Sequence, residues 1–220
     1  MPIARPSPGS LVTPGQLTIY DAFDDAEDPL GSPWQPRINT LLTDMVATGG
    51  YGQNTATGEG EYDDSAALLS GFRPNVDIVA YVDKNESIND AVTHECELLM
   101  RATQGTTISQ QYEGLFSFNG GVQCFKWFDN SGSQGFLELT ADSGAISMGR
   151  EFITGDRIRA RISGSTITLS CIEANDAETI LGVYTDTAYP TGQPGIGGFI
   201  RPGGNAAHFR FVDVLVTQLP

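Results

Sequence analysis

The chain has 220 residues, a formal net charge of -15, and 12 Lys plus Arg against 27 Asp plus Glu. So few cations exclude a surface that grips phosphates, and with it a nucleic-acid partner. No run approaches the about 20 apolar residues of a membrane-spanning helix, and the opening Met-Pro-Ile-Ala-Arg-Pro contains no apolar stretch of a secretory signal, which predicts a product made in a cytoplasm.

Pro2, Pro6, Pro8 and Pro14 fall within residues 1–15. Proline removes backbone donors, so this segment is predicted to be an extended arm, with Ile3, Leu11 and Val12 as its anchors on a neighbouring subunit. Residues 16–220 are predicted to form a single domain. Leu17 to Phe23 reads as the first strand, followed by an acidic loop, Asp24-Asp25-Ala26-Glu27-Asp28, then Pro29-Leu30-Gly31 and Trp34. The loop lacks the spacing and glycine of an EF-hand. Residues 40–75 are turn-rich, and Asp64 to Ser70 reads as a short helical turn or a loop. Val76 to Val82 is a strand.

Thr93 to Ala102 alternates strictly. His94, Cys96, Leu98, Met100 and Ala102 take one face, and Thr93, Glu95, Glu97, Leu99 and Arg101 the other. Tyr112 to Asn119 and Val122 to Phe128 flank the turn pair Gly120-Gly121, and Phe136 to Thr140 and Ile146 to Gly149 follow as strands. The clearest element is the pair of runs around Ser163-Gly164. Ile158, Ala160 and Ile162 alternate with Arg157, Arg159 and Arg161, then Ile167, Leu169 and Cys171 with Thr166, Thr168 and Ser170. A period of two with a turn between is a hairpin. Thr179 to Tyr184, a glycine-rich strand through Gly192 to Gly198, and His208 to Leu219 complete the set. The last strand has no sequence neighbour left and is predicted to pair with the first. About ten such strands predict an all-β, two-sheet antiparallel sandwich. Cys96, Cys124 and Cys171 fall inside strands in an odd number, which predicts buried free thiols rather than a disulfide framework or a zinc site.

The order Phe23-Asp24-Asp25, Pro29-Leu30-Gly31, Trp34, Glu97 to Arg101, Gly155 to Arg161, Gly192-Gln193-Pro194-Gly195-Ile196-Gly197-Gly198 and Phe209 to Asp213 resembles the concanavalin-A-like lectin/glucanase jelly rolls. The resemblance implies the jelly-roll form of the sandwich. It also implies a structural calcium near the first and last strands, with Asp24, Asp25 and Asp213 as candidate ligands. No organic cofactor motif is present.

Retaining glucanases of this fold carry a third carboxylate on the strand that here reads Glu95-Cys96-Glu97-Leu98-Leu99-Met100, where Met100 takes its place. Lyases of the fold need a Gln-x-His strand that the chain lacks. The expectation is therefore a domain that is not an enzyme. The opening Phe-Asp-Asp and Pro-Leu-Gly also resembles bacteriophage structural proteins. That resemblance implies a decoration, fibre or tail component of a virion, contacting other virion proteins and its own copies as a homo-oligomer. A carbohydrate-binding module is the alternative, and a polysaccharide lyase or glycoside hydrolase with an atypical site the next. The candidate ligand residues for a polysaccharide are Trp127 and the row Arg157, Arg159 and Arg161, which otherwise pairs with acids on an adjacent strand.

Overall fold

The computed structural model describes residues 16–35, 37–55, 64–85, 94–200 and 204–220. The predicted arm with Ile3, Leu11 and Val12 lies outside the described residues. The strands are β1 (Thr18–Asp21), β2 (Thr43–Thr48), β3 (Tyr51–Asn54), β4 (Asp64–Leu68) and β5 (Val76–Lys84). They continue with β6 (His94–Gln104), β7 (Ser109–Ser117), β8 (Val122–Asn130), β9 (Ser133–Glu138) and β10 (Arg157–Ser163). The last are β11 (Thr166–Ile172), β12 (Glu178–Thr185), β13 (Gln193–Ile200) and β14 (Phe209–Gln218). Among the described residues there is no helix.

Hydrogen bonding runs in the order β12-β11-β10-β5-β14-β3-β2 and continues as β4-β13-β6-β7-β8-β9. The join is the parallel pair β2–β4, at Thr43↔Ser65 and Asp44↔Ala66; every other strand pairing is antiparallel. The first strand does pair with the last, Thr18↔Thr217 through Asp21↔Val214. The sheet curls at the join, so β10 and β14 pack on β6, and β12 on β8. The result is the predicted all-β sandwich.

Alternation builds the core between the two halves. Ile78, Ala80 and Val82 of β5 and Ile158, Ala160 and Ile162 of β10 point inward, as do Cys96, Leu98 and Met100 of β6 and Tyr112 and Phe116 of β7. Burying such side chains is worth about 25 cal/mol per Å² of apolar surface. All three cysteines are free and buried, and desolvation pushes their thiols up.

Three expectations fail. Asp64 to Ser70 is no helical turn, since Asp64–Leu68 is strand β4. Ile146 to Gly149 is no strand: Ile146 is 68% exposed, and only Ser147 makes an isolated bridge, to Gly121. Arg101 does not share the face of Glu95 and Glu97. The β6–β7 register shifts between Met100 and Thr103, and Arg101 takes φ +49°. A bulge of this kind re-aims the side chains that follow it. Ala102 then joins Leu99 on the outer face.

The displaced Arg101 is buried and meets no carboxylate among the described residues. It donates to the carbonyls of Pro74 (3.0 Å), Tyr189 (2.8 Å) and Gly164 (2.6 Å), and to Asn75 Oδ1 (3.1 Å). These acceptors lie before β5, between β12 and β13, and in the β10–β11 turn, so one guanidinium ties β6 to the other half of the sandwich. Desolvation lowers its pKa, and only a group that stays charged can hold four acceptors there. Arg101→Lys keeps the charge but loses the planar fork. It should cost about 3 kcal/mol in denaturant unfolding, and Arg101→Ala at least as much. A loss under about 1 kcal/mol would show that the clamp is dispensable.

Candidate functional site

Sheet strands β4, β13, β6, β7, β8 and β9 have an outer face turned away from the core. Alternation puts Asp64 of β4, Phe199 of β13, and Glu95 and Glu97 of β6 there. Glu113 and Leu115 of β7, Phe125 and Trp127 of β8, and Phe136 of β9 follow across the same face. Together they line a groove of about 250 Å³. It crosses all six strands, a width of about 24 Å at the usual inter-strand spacing.

The centre of the groove is two glutamates. Leu99 of β6 stands opposite Glu113 of β7, and Glu97 opposite Leu115, so Glu97 and Glu113 are diagonal neighbours, a spacing of about 7 Å. Both are almost fully buried, with Glu97 2% and Glu113 3% exposed. Glu113 accepts the Trp127 indole N–H at 2.5 Å. Glu97 lies over Gly197 of β13, where a Cβ would come within 2.5 Å of its Oε2. The glycine makes room that any side chain would take. Burial pushes both carboxyls well above the usual carboxylate range; Glu113 raises Glu97 further, and Asp64 and Glu95 raise both. No Lys or Arg lines the groove among the described residues.

Segment 37–42 covers the outer face beyond the glutamates. Leu42 packs with Ala66, Leu68, Leu99, Ala102 and Trp127. Arg37 pairs with Asp44 and donates to the carbonyls of Asn39 and Leu42, and Asn39 donates to Ser109 Oγ. A larger cavity of about 660 Å³ lies on the far side, between Ile38, Leu68, Ala102 and Gln193, and neutral side chains line it. It carries no group able to do acid–base work.

Trp127 lies in the groove at 3% exposure, as floor rather than platform, with Phe136 edge-on to it at 4.7 Å. Phe136, 40% exposed, is the ring open to a ligand. The arginine row is on the other half of the sandwich, so it does not meet Trp127 in one site. Arg157 pairs with Asp176 and lies over Tyr81, while Arg159 forks onto Asp77 and reaches Glu178. These partners lie on or beside adjacent strands, and they raise the Arg159 pKa. Arg161 is exposed beside a shallow pocket with Thr168 and Ile180.

The calcium candidates do not converge. Asp24 and Asp25 line a small pocket with Asp21 and Glu27, and Asp213 is not among its walls. Asp213 accepts from the Tyr20 hydroxyl at 3.2 Å, and Asp21 is taken by the Trp34 indole and the Phe23 amide. Among the described residues no group of three His, Cys, Asp or Glu could hold an ion.

Sequence reasoning named Glu95 and Glu97 but missed Glu113, Asp64 and Phe136. Glu113 is not on β6; it stands across the hairpin, opposite Leu99. The alternation of Glu113 with Tyr112 and Gly114 held the signal. The register that brings it beside Glu97 did not show in the sequence.

No protein-family model matches the chain. No curated protein matches it either. Solved structures do. The exoplasmic/lumenal domain of VIP36, in a Ca2+/Man2-bound form, aligns with TM-score 0.60 at 10% identity over 92% of this chain and 87% of that one. The β-porphyranase BpGH16B of Bacteroides plebeius aligns with TM-score 0.52 at 8% identity over 94% of each chain. The carbohydrate-binding module CBM66 of Bacillus subtilis aligns with TM-score 0.50 at 14% identity, over 77% of this chain and 92% of that one. The fold is the concanavalin-A-like jelly roll. Lectins, binding modules and glycoside hydrolases all share it, and nothing among these structures points to a virion component.

The buried pair has a measurable consequence. Above the ordinary carboxylate range the unfolded chain has released protons that the folded chain retains, so stability falls as pH rises. Glu97→Gln removes one contributor without changing shape. Thermal melts should show the variant at least about 2 °C more stable than wild type near pH 8, with the gain gone near pH 4, where both states are protonated. A variant less stable at both pH values would mean that Glu97 is ionised and satisfied in the fold.

Proposed function

We propose that the chain is a glycan-binding jelly roll and that the groove across β4 to β9 is its binding face. The observation that carries this is the lining itself: hydrogen-bonding carboxyl groups beside aromatic rings along a path several sugar units long. Sugar rings stack their C–H faces on aromatics, and their hydroxyls need polar partners. The fold neighbours named as a Ca2+/Man2-bound exoplasmic/lumenal domain and a carbohydrate-binding module are in keeping with it. Screening the full chain on a glycan array, followed by titration of the best binder, tests this. Phe136→Ala should weaken that titration by about tenfold with the melting temperature unchanged. Absence of binding to any glycan, or binding indifferent to Phe136, would defeat it.

Glycoside hydrolysis is the second reading, favoured by Glu97 and Glu113. Two carboxyls side by side, with protonation held high by burial and neighbouring acids, match the requirement for one acid and one base or nucleophile. Incubation of the bound glycan with wild type, Glu97→Gln and Glu113→Gln decides it. New reducing ends that vanish in both variants, with binding retained, would make the chain an enzyme. An intact glycan after long incubation with wild type leaves a binding module.

A further inference from the structure

We infer that the groove selects glycans bearing free, protonated amino groups. The inference rests on the glycan-binding reading and names the ligand class of that same site.

Its first support is Glu97. That side chain is 2% exposed, lines the groove, and receives no hydrogen bond or ion pair from any described residue. A buried polar group without a partner is costly, and a ligand donor at this point would relieve the cost. The second is what surrounds it. Glu113 is the diagonal neighbour, Asp64 and Glu95 stand on the same face, and no basic side chain among the described residues lines the groove. The third is the rings. Trp127 and Phe136 lie beside these carboxyls, and ring faces attract cations.

An ammonium group suits this combination better than a hydroxyl. It brings three donors, enough to reach Glu97 and Glu113 together, and its charge favours the ionised form of carboxyls that burial otherwise keeps protonated. A neutral sugar supplies donors but no charge to draw Glu97 and Glu113 into their ionised form. A sulfated or uronate-rich glycan adds repulsion. The arginine row that could welcome an anion belongs to the opposite half of the sandwich, where Arg157 and Arg159 already hold acids.

Calorimetric titration of the full chain with matched five-unit oligomers tests the inference. The probes are β-1,4-linked glucosamine, its N-acetylated counterpart, and the equivalent all-hydroxyl glucose oligomer, at about pH 6, where a sugar amine is protonated. The amino oligomer should bind about tenfold or more tightly than either neutral one. Glu97→Gln should shrink that margin severalfold. Equal or tighter binding of a neutral oligomer would overturn the amine preference and leave glycan binding standing. A margin that survives in both Glu97→Gln and Glu113→Gln would assign it to the overall charge of -15 and overturn the site. Binding of none of the three, with a blank array, would overturn both.

Discussion

A carboxyl group can be buried in the face of a sheet only if its neighbours make space and donors for it. Here Gly197 gives up a side chain to Glu97, and Trp127 turns its indole N–H to Glu113. Neither provides a positive charge. The pair therefore remains a standing cost to the folded state, moderated by protonation. Costs of this kind concentrate at working sites, because a site must hold its groups ready for something that is absent when the chain folds. The same logic bears on the placement of Glu113 and Glu97 on adjacent strands: side by side, Glu113 raises Glu97 beyond what burial does.

The two faces of the half-sheet are kept distinct by small devices. Alternation along β6 sends Cys96, Leu98 and Met100 to the core and Glu95, Glu97 and Leu99 outward. The bulge after Met100 then breaks the phase. It turns Arg101 into the gap between the halves, where it meets carbonyls from three loops. The bulge also puts Ala102 under segment 37–42, which closes that part of the outer face with Leu42. What stays open is the strip containing the carboxyls and Phe136. Function on this face thus depends on a bulge and a strap as much as on the strands.

Much of the fold was legible because alternation leaves a mark wherever one face is wet. The β10–β11 hairpin follows from it, while the glycine-rich β13 is legible from its likeness to the jelly rolls and the pairing of first with last strand from the want of any other sequence neighbour. Strand β4 did not, and its burial explains why. Ala67 faces the core while Ala66 and Leu68 face the cluster under Leu42, so apolar residues occupy both sides and the period of two disappears. The site was half legible. Glu95 and Glu97 could be read along one strand, but Glu113 is their neighbour only through the β6–β7 register, and the bulge in that hairpin is written in no local pattern. Phe136 escaped notice because its strand begins at Ser133, three residues before the expected start.

The chain has two tryptophans, and only Trp127 touches the groove; Trp34 is buried against Phe23. Their indole N–H resonances are therefore built-in reporters, assigned by comparison with Trp34→Phe. Titrating the isotope-labelled full chain with the oligosaccharide that binds best should move the Trp127 resonance, whose donor bond ends on Glu113, and leave that of Trp34 in place. Saturable binding that leaves Trp127 unmoved would contradict the placement of the site on this face.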